Sequence, residues 1–288
     1  MDEFKKNLRE STGFRFFIYV IAFMICTVIG LVVTMLMGVN DVNRMKIGQG
    51  VSSALIFIVP PLVLYAITRP QPMRALGFRK PNTAWMLLIG FVLMFVSLPV
   101  TNILGTWNEN MHFGSFFEKL EALLSQMENK ADDLTERMLQ VDTFGGLLFN
   151  LLIIALIPAI GEELTFRGVL QQWFTRNMRS HHLAIILSAA IFSFTHFQFY
   201  GFLPRMFAGL LLGYLFYYSG SLWTSILMHF INNGTAVVVS FLNQKGVSNT
   251  DYEHFGFTDN IFLIIVSLVL TIGLIYLSNK LCKKYGRQ

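Results

Sequence analysis

"LLIIALIPAIGEELTFRGVLQQW", residues 151–173, decides how this chain is read. A run of hydrocarbon side chains meets two adjacent carboxylates, Glu162 and Glu163, and then a guanidinium, Arg167. A charge near a bilayer centre costs several kcal/mol unless it is paired or hydrated. Three charges in one apolar stretch therefore demand partners, and the rest of the sequence must supply them.

The surroundings are those of a membrane protein. Of 288 residues, 54% are hydrophobic and 14% charged, against about 25% charged in a soluble domain. The 28 phenylalanines suit helices packed in hydrocarbon. Two cysteines, Cys26 and Cys282, exclude a disulfide framework and a cysteine metal cluster. The net charge of +5 is not a nucleic-acid signal, because the basic residues flank apolar runs, where they set topology. The first apolar run is too long for a signal-peptide core and lacks a cleavage site, so it is read as retained.

A spanning helix needs about 20 mostly apolar residues. Eight stretches are candidates, at roughly 14–38, 51–68, 85–106, 143–171, 182–203, 204–219, 221–241 and 260–278. The expected fold is all-α, a polytopic bundle of about eight transmembrane helices with an intramembrane polar cavity. Lys5, Lys6 and Arg9 precede the first span. The loop 69–84 holds Arg69, Arg74, Arg79 and Lys80, and the C-terminal tail holds Lys280, Lys283, Lys284 and Arg287. Segment 107–142 has eight acids against three bases, and 242–259 is also acidic. Eight spans with this asymmetry put both termini in the cytoplasm and the acidic segments outside. The chain divides into residues 1–142 (three spans and an outer segment), a polar core at 143–241, and 242–288 (outer loop, last span and basic tail), all within one membrane domain. Within the outer segment, Phe116, Leu120, Leu123, Leu124 and Met127 recur at helical spacing, and Leu134 and Met138 follow a polar break at Lys130–Asp133. This predicts one or two amphipathic helices on the outer surface, as an ordinary structured loop or as a substrate lid.

Three clusters break the apolar rule: Glu162, Glu163 and Arg167; then His196 in "IFSFTHFQF"; then His229, Asn232 and Asn233 in "MHFINNG". Taken singly, a membrane histidine or asparagine is a helix–helix hydrogen bonder and a Glu/Arg pair is a structural tie. Taken together, on separate spans, they point to one shared site. Glu163 and Arg167 lie four apart and can pair on one face. Glu162 points about 100° away and can face a cavity. His229 and Asn233 share a face, and Phe192 lies on the stripe of His196, where it can floor the pocket. At about 1.5 Å per residue, Glu162 and His229 fall about 13 Å and about 10 Å from the cytoplasmic ends of their helices, and His196 about 20 Å. This predicts a pocket in the cytoplasmic half.

A water-shielded glutamate can act as general base toward water, with a histidine assisting and a second histidine and an amide stabilising an oxyanion. The same set, Glu162, His196 and His229, can instead ligate a catalytic zinc with water in the fourth position. Either way the reaction is hydrolysis. H-E-x-x-H and G-x-S-x-G are both absent from the sequence.

The three motifs, E-E-x-x-x-R (Glu162, Glu163, Arg167), F-x-x-x-H (Phe192, His196) and H-x-x-x-N (His229, Asn233), resemble the type II CAAX prenyl endopeptidase family, the CPBP (Abi) group of intramembrane proteases. The resemblance covers about 143–241. It implies a helical bundle with a cavity open toward the cytoplasm and endopeptidase activity on a membrane-associated peptide or protein. Glu162 would activate water with His196 assisting, while His229 and Asn233 stabilise the oxyanion. Glu163, Arg167 and Phe192 would support the site, the arginine meeting a substrate carboxylate. The group is named as metalloproteases, so zinc is the cofactor to test; a metal-free glutamate mechanism is the other reading. The lipid bilayer is the expected surrounding, of the bacterial inner-membrane type, and nucleic acid is not an expected partner. Two other classes compete: a catalytically silent scaffold or bacteriocin-immunity-type protein, and a proton-coupled transporter, which also needs buried Glu, His and Arg.

Overall fold

The computed structural model describes residues 11–38, 40–112, 114–247 and 255–286. Lys5, Lys6, Arg9 and Arg287 lie outside them, as does the 248–254 part of the acidic loop. The described residues form helices joined by turns and loops, with no strand.

Helix α1 (Thr12–Met37) starts at Ser11, whose hydroxyl accepts from the Phe14 N–H. Helix α2 (Val42–Thr68) starts at Asp41, whose carboxylate accepts from the Arg44 N–H at 2.8 Å. Both are N-caps that satisfy an otherwise orphaned donor. Helix α2 breaks at Ile58, because Pro61 has no N–H to offer the Phe57 carbonyl. The Thr165 hydroxyl takes that vacated carbonyl at 2.9 Å. A proline break in one helix thus becomes an anchor for the helix that carries the carboxylates.

A short helix α3 (Pro72–Leu76) follows, then α4 (Trp85–Val96) and α5 (Leu98–Glu109), which bend by 45° at Ser97. The Val96 carbonyl at the bend accepts the Ser267 hydroxyl at 2.6 Å. Helix α6 (Glu118–Leu139) is a single amphipathic helix, uninterrupted at Lys130–Asp133. Its Met138 and Leu134 pack with Met45 and Ile153, while Phe116, Leu120 and Leu123 stay exposed. The remaining helices are α7 (Phe144–Asn177), α8 (His181–Phe194), α9 (Phe202–Ser219), α10 (Leu222–Gln244) and α11 (Ile261–Tyr285).

Five helices are long and apolar enough to cross a membrane, and six if α4 and α5 count as one bent span. The eight stretches expected from hydropathy include these six. The other two, 182–203 and 204–219, form the hairpin α8–α9. Helix α8 has 14 residues, or about 21 Å, short of a hydrocarbon core of about 30 Å. Pro204, Arg205 and three tyrosines dilute the apolar character of α9.

Helix α7 carries two π-helical stretches, Leu151–Leu156 and Leu164–Gln171. The first precedes Pro158, which cannot donate to the Ile154 carbonyl. The second begins directly after Glu163. Widened turns loosen the backbone ladder, and neighbouring helices bind its carbonyls. The Ser188 hydroxyl donates to the Phe166 carbonyl at 2.9 Å, and the Tyr65 hydroxyl to the Gly168 carbonyl at 2.8 Å.

Close approach of α7 to α2 depends on Gly161. A Cβ there would lie 2.9 Å from the Phe57 Cβ and 3.2 Å from Ile58 Cγ1. Gly161→Ala should therefore lower stability by about 1–3 kcal/mol through overpacking. Gly145→Ala, with nothing within 4 Å of the added methyl, should not. Thermal unfolding in detergent compares the two.

Candidate active site

The charges of α7 separate into a buried cluster and a cavity wall. Glu163 has no solvent exposure, and Arg167 is 1% exposed. Glu163 Oε1 accepts from Arg167 Nη1 at 2.7 Å, one helical turn on. The same oxygen accepts from His229 Nδ1, on α10, at 2.9 Å. Arg167 Nη2 donates to the Gly209 carbonyl of α9 at 3.0 Å, and its guanidinium lies 4.9 Å from the Phe192 ring centre of α8. One carboxylate and one guanidinium therefore join four helices. Gln171, one turn later, repeats the tie by donating to the Gly213 carbonyl at 2.9 Å.

Because a carboxylate only accepts, His229 donates from Nδ1 and presents Nε2 on its other side. That Nε2 lies 3.7 Å from Glu162 Oε2, beyond direct hydrogen-bond length. His196 sits just past the end of α8. Its Nδ1 donates to the Phe192 carbonyl at 3.0 Å, which again leaves Nε2 to accept. The chain turns away through Phe197 in the left-handed region, at φ 54°, which is costly for a bulky side chain. Phe192 stands edge-on to both imidazoles, with centroids 5.1 Å from His196 and 5.9 Å from His229.

These groups surround a cavity of about 230 Å³. Its polar wall is Glu162, His196, His229, Asn232, Asn233 and Arg205, and Phe192 lies at its apolar base. Asn232 Nδ2 donates to Asn233 Oδ1 at 3.3 Å, so the Asn233 amide keeps its own N–H donors. The structure thus gathers Glu162, His196, His229, Asn233 and Phe192 around one space. Glu163 and Arg167 stand behind it, against His229, and do not line it. Arg167 is too deeply buried to meet a substrate carboxylate, the role the resemblance assigned to it. Sequence reasoning missed Arg205 and gave Asn232 no role. Arg205 was legible as the lone cation between 183 and 219, but at the expected start of a span it reads as an interfacial charge.

Glu162, His196 and His229, the zinc set to test, line one cavity without being drawn together as ligands. Among the described residues no three His, Cys, Asp or Glu side chains are grouped to hold a metal ion. The Nδ1 atom of each histidine is held by a protein acceptor, which leaves each Nε2 toward the cavity, the orientation a metal-ligating imidazole also takes.

Two larger cavities share walls with this one, and both lie under α6. Glu162 and His196 also line a cavity of about 520 Å³ with Leu134, Thr135 and Met138 of α6. Arg205 also lines one of about 580 Å³ with Glu128 and Asp132 of α6. Sequence depths had put the opening toward the basic loops. Near the short α8–α9 hairpin, residues of α6 line these adjoining cavities.

Residues 144–235 match the family model described as Type II CAAX prenyl endopeptidase Rce1-like. The matched segment runs from the start of α7 into α10 and contains every polar residue of the cavity and the whole buried cluster, in keeping with the resemblance carried by the three motifs. No curated protein and no solved structure matches the chain.

Removing one member of a buried ion pair strands the other. Arg167→Ala should cost about 3–5 kcal/mol of stability. Arg167→Ala combined with Glu163→Ala should cost clearly less than the sum of the two single changes. Unfolding in detergent measures the cycle, and additivity would show that the pair is not coupled.

Proposed function

We propose that the Rce1-like segment makes this integral membrane protein an intramembrane endopeptidase in which Glu162 activates water. The observation that carries the reading is the convergence of a carboxylate, two imidazole Nε2 atoms and a donor amide on one cavity, inside the segment that matches the protease family. Water in this cavity gives a proton to Glu162 as its oxygen bonds to the scissile carbonyl carbon. His196, accepting at Nε2, steadies the second water proton. The carbonyl oxygen takes up the negative charge and is met by the Asn233 N–H and by His229 Nε2–H in the imidazolium form. Glu163, on the far side of that imidazole, balances the imidazolium charge. Glu162 then passes its proton to the leaving nitrogen as the C–N bond breaks, giving a carboxylic acid and an amine.

The cavity's approaches under α6 suit an extended segment of a membrane-associated peptide or protein. On the charge rule the α6 end is the outer face, so we read cleavage as occurring beneath α6 and not in the cytoplasmic half.

Glu162→Gln should lower kcat/KM for a cleaved peptide by about 10²–10⁴-fold, and Asn233→Ala by about 10²–10³-fold. Both are read on a labelled peptide library with detergent-purified protein. Undiminished turnover in Glu162→Gln would contradict the mechanism.

A further inference from the structure

Arg205 belongs to none of the three motifs, yet it is the permanently charged cation on the wall of the cavity that holds Glu162. It enters from the first turn of α9, opposite the buried cluster. Its guanidinium has five N–H donors. Nη1 donates to the Gln198 carbonyl at 3.1 Å, and Nη2 lies 3.7 Å from Glu128 Oε1 of α6, a loose pairing. Glu128 is meanwhile engaged elsewhere, accepting from the Tyr200 N–H at 3.1 Å and from Gln198 Nε2 at 3.3 Å. Burial pushes the Glu128 carboxyl above its ordinary pKa, which weakens it further as a counter-ion. Gly201 makes the room: a Cβ at that position would fall onto the Arg205 guanidinium.

We propose that Arg205 determines specificity by receiving a substrate carboxylate on one side of the scissile bond, in competition with Glu128 of α6. The proposal rests on the protease reading of the same cavity. Arg167 cannot take this role because Glu163 and the Gly209 carbonyl hold it inside the bundle. Arg205 lies on the shared wall between the catalytic cavity and the cavity under α6. A bound carboxylate there would draw the guanidinium off Glu128 and loosen α6 from the α8–α9 turn. The carboxylate is either the free C-terminus of a short product-side segment or an acidic side chain close to the cleaved bond.

The test uses fluorescein-labelled apolar hexapeptides in three forms: free acids, C-terminal amides, and amides with one glutamate. Binding is followed by anisotropy on the full-length chain carrying Glu162→Gln, so that turnover does not enter the readout. One carboxylate-bearing form should bind about tenfold or more tighter than the neutral amide, and which one does so identifies the source of the carboxylate. Arg205→Gln should erase the difference between charged and neutral forms, and an unchanged thermal unfolding transition in detergent reports that the variant is folded. Arg205→Lys should keep part of it. Glu128→Gln should widen it, whereas a purely structural Arg205–Glu128 tie predicts that both changes weaken binding alike. Equal binding of all three forms, or a preference that survives Arg205→Gln, overturns the proposal. Cleavage by the wild-type chain is scored separately: a carboxylate preference without Glu162-dependent cleavage retains the Arg205 site and rejects the protease reading, whereas cleavage without the preference does the reverse.

Discussion

A carboxylate with no access to solvent, Glu163, is the constraint on which the rest of the structure depends. Its charge is tolerable inside an apolar bundle only if partners are close and well oriented. It has two, Arg167 one turn along its own helix and His229 on another. Arg167 then needs further acceptors and finds the Gly209 carbonyl and the Phe192 ring. Satisfying one buried charge therefore fixes α7, α8, α9 and α10 relative to one another. It also holds His229 by Nδ1, so that the ring presents Nε2 to the cavity in which Glu162 stands.

The two adjacent glutamates thus have different partners. Glu163 is spent on orientation, and Glu162, about 100° around the helix, is left to the cavity. The backbone helps keep them apart. The Gly161 contact with α2 and the Thr165 hydroxyl on the Phe57 carbonyl hold α7 on both sides of the pair. The π turn starting at Leu164 exposes carbonyls that α8 and α2 bind. Beyond the end of α8, His196 is held by its Nδ1 on the Phe192 carbonyl, and the chain turns at Phe197 in the left-handed region.

Much of this was legible in the sequence. Helical spacing paired Glu163 with Arg167 and separated Glu162 from both, and three polar breaks in otherwise apolar spans marked the residues that meet. The amphipathic stripe of residues 107–142 gave α6. What escaped is equally specific. A period of 3.6 residues carries no sign of π turns. Hydropathy windows count apolar residues, so they passed over the shortness of α8 and counted a hairpin as two spans. Arg205 was discounted because a charge at a presumed span end looks ordinary. The Glu163–His229 contact spans 66 residues of sequence, and local spacing cannot reveal a partner on another helix. Residues of α6 line the cavities that adjoin the site.

The account's central claim is that Glu163 holds His229 by Nδ1 and so presents Nε2 to the catalytic cavity. The most direct measurement is the ¹⁵N spectrum of the His229 side chain in the detergent-purified protein, with the Glu163→Ala variant for comparison. The account predicts a protonated Nδ1 in the wild type and loss of that fixed state when Glu163 is removed. An unprotonated Nδ1 in the wild type, or a spectrum indifferent to Glu163, would contradict it.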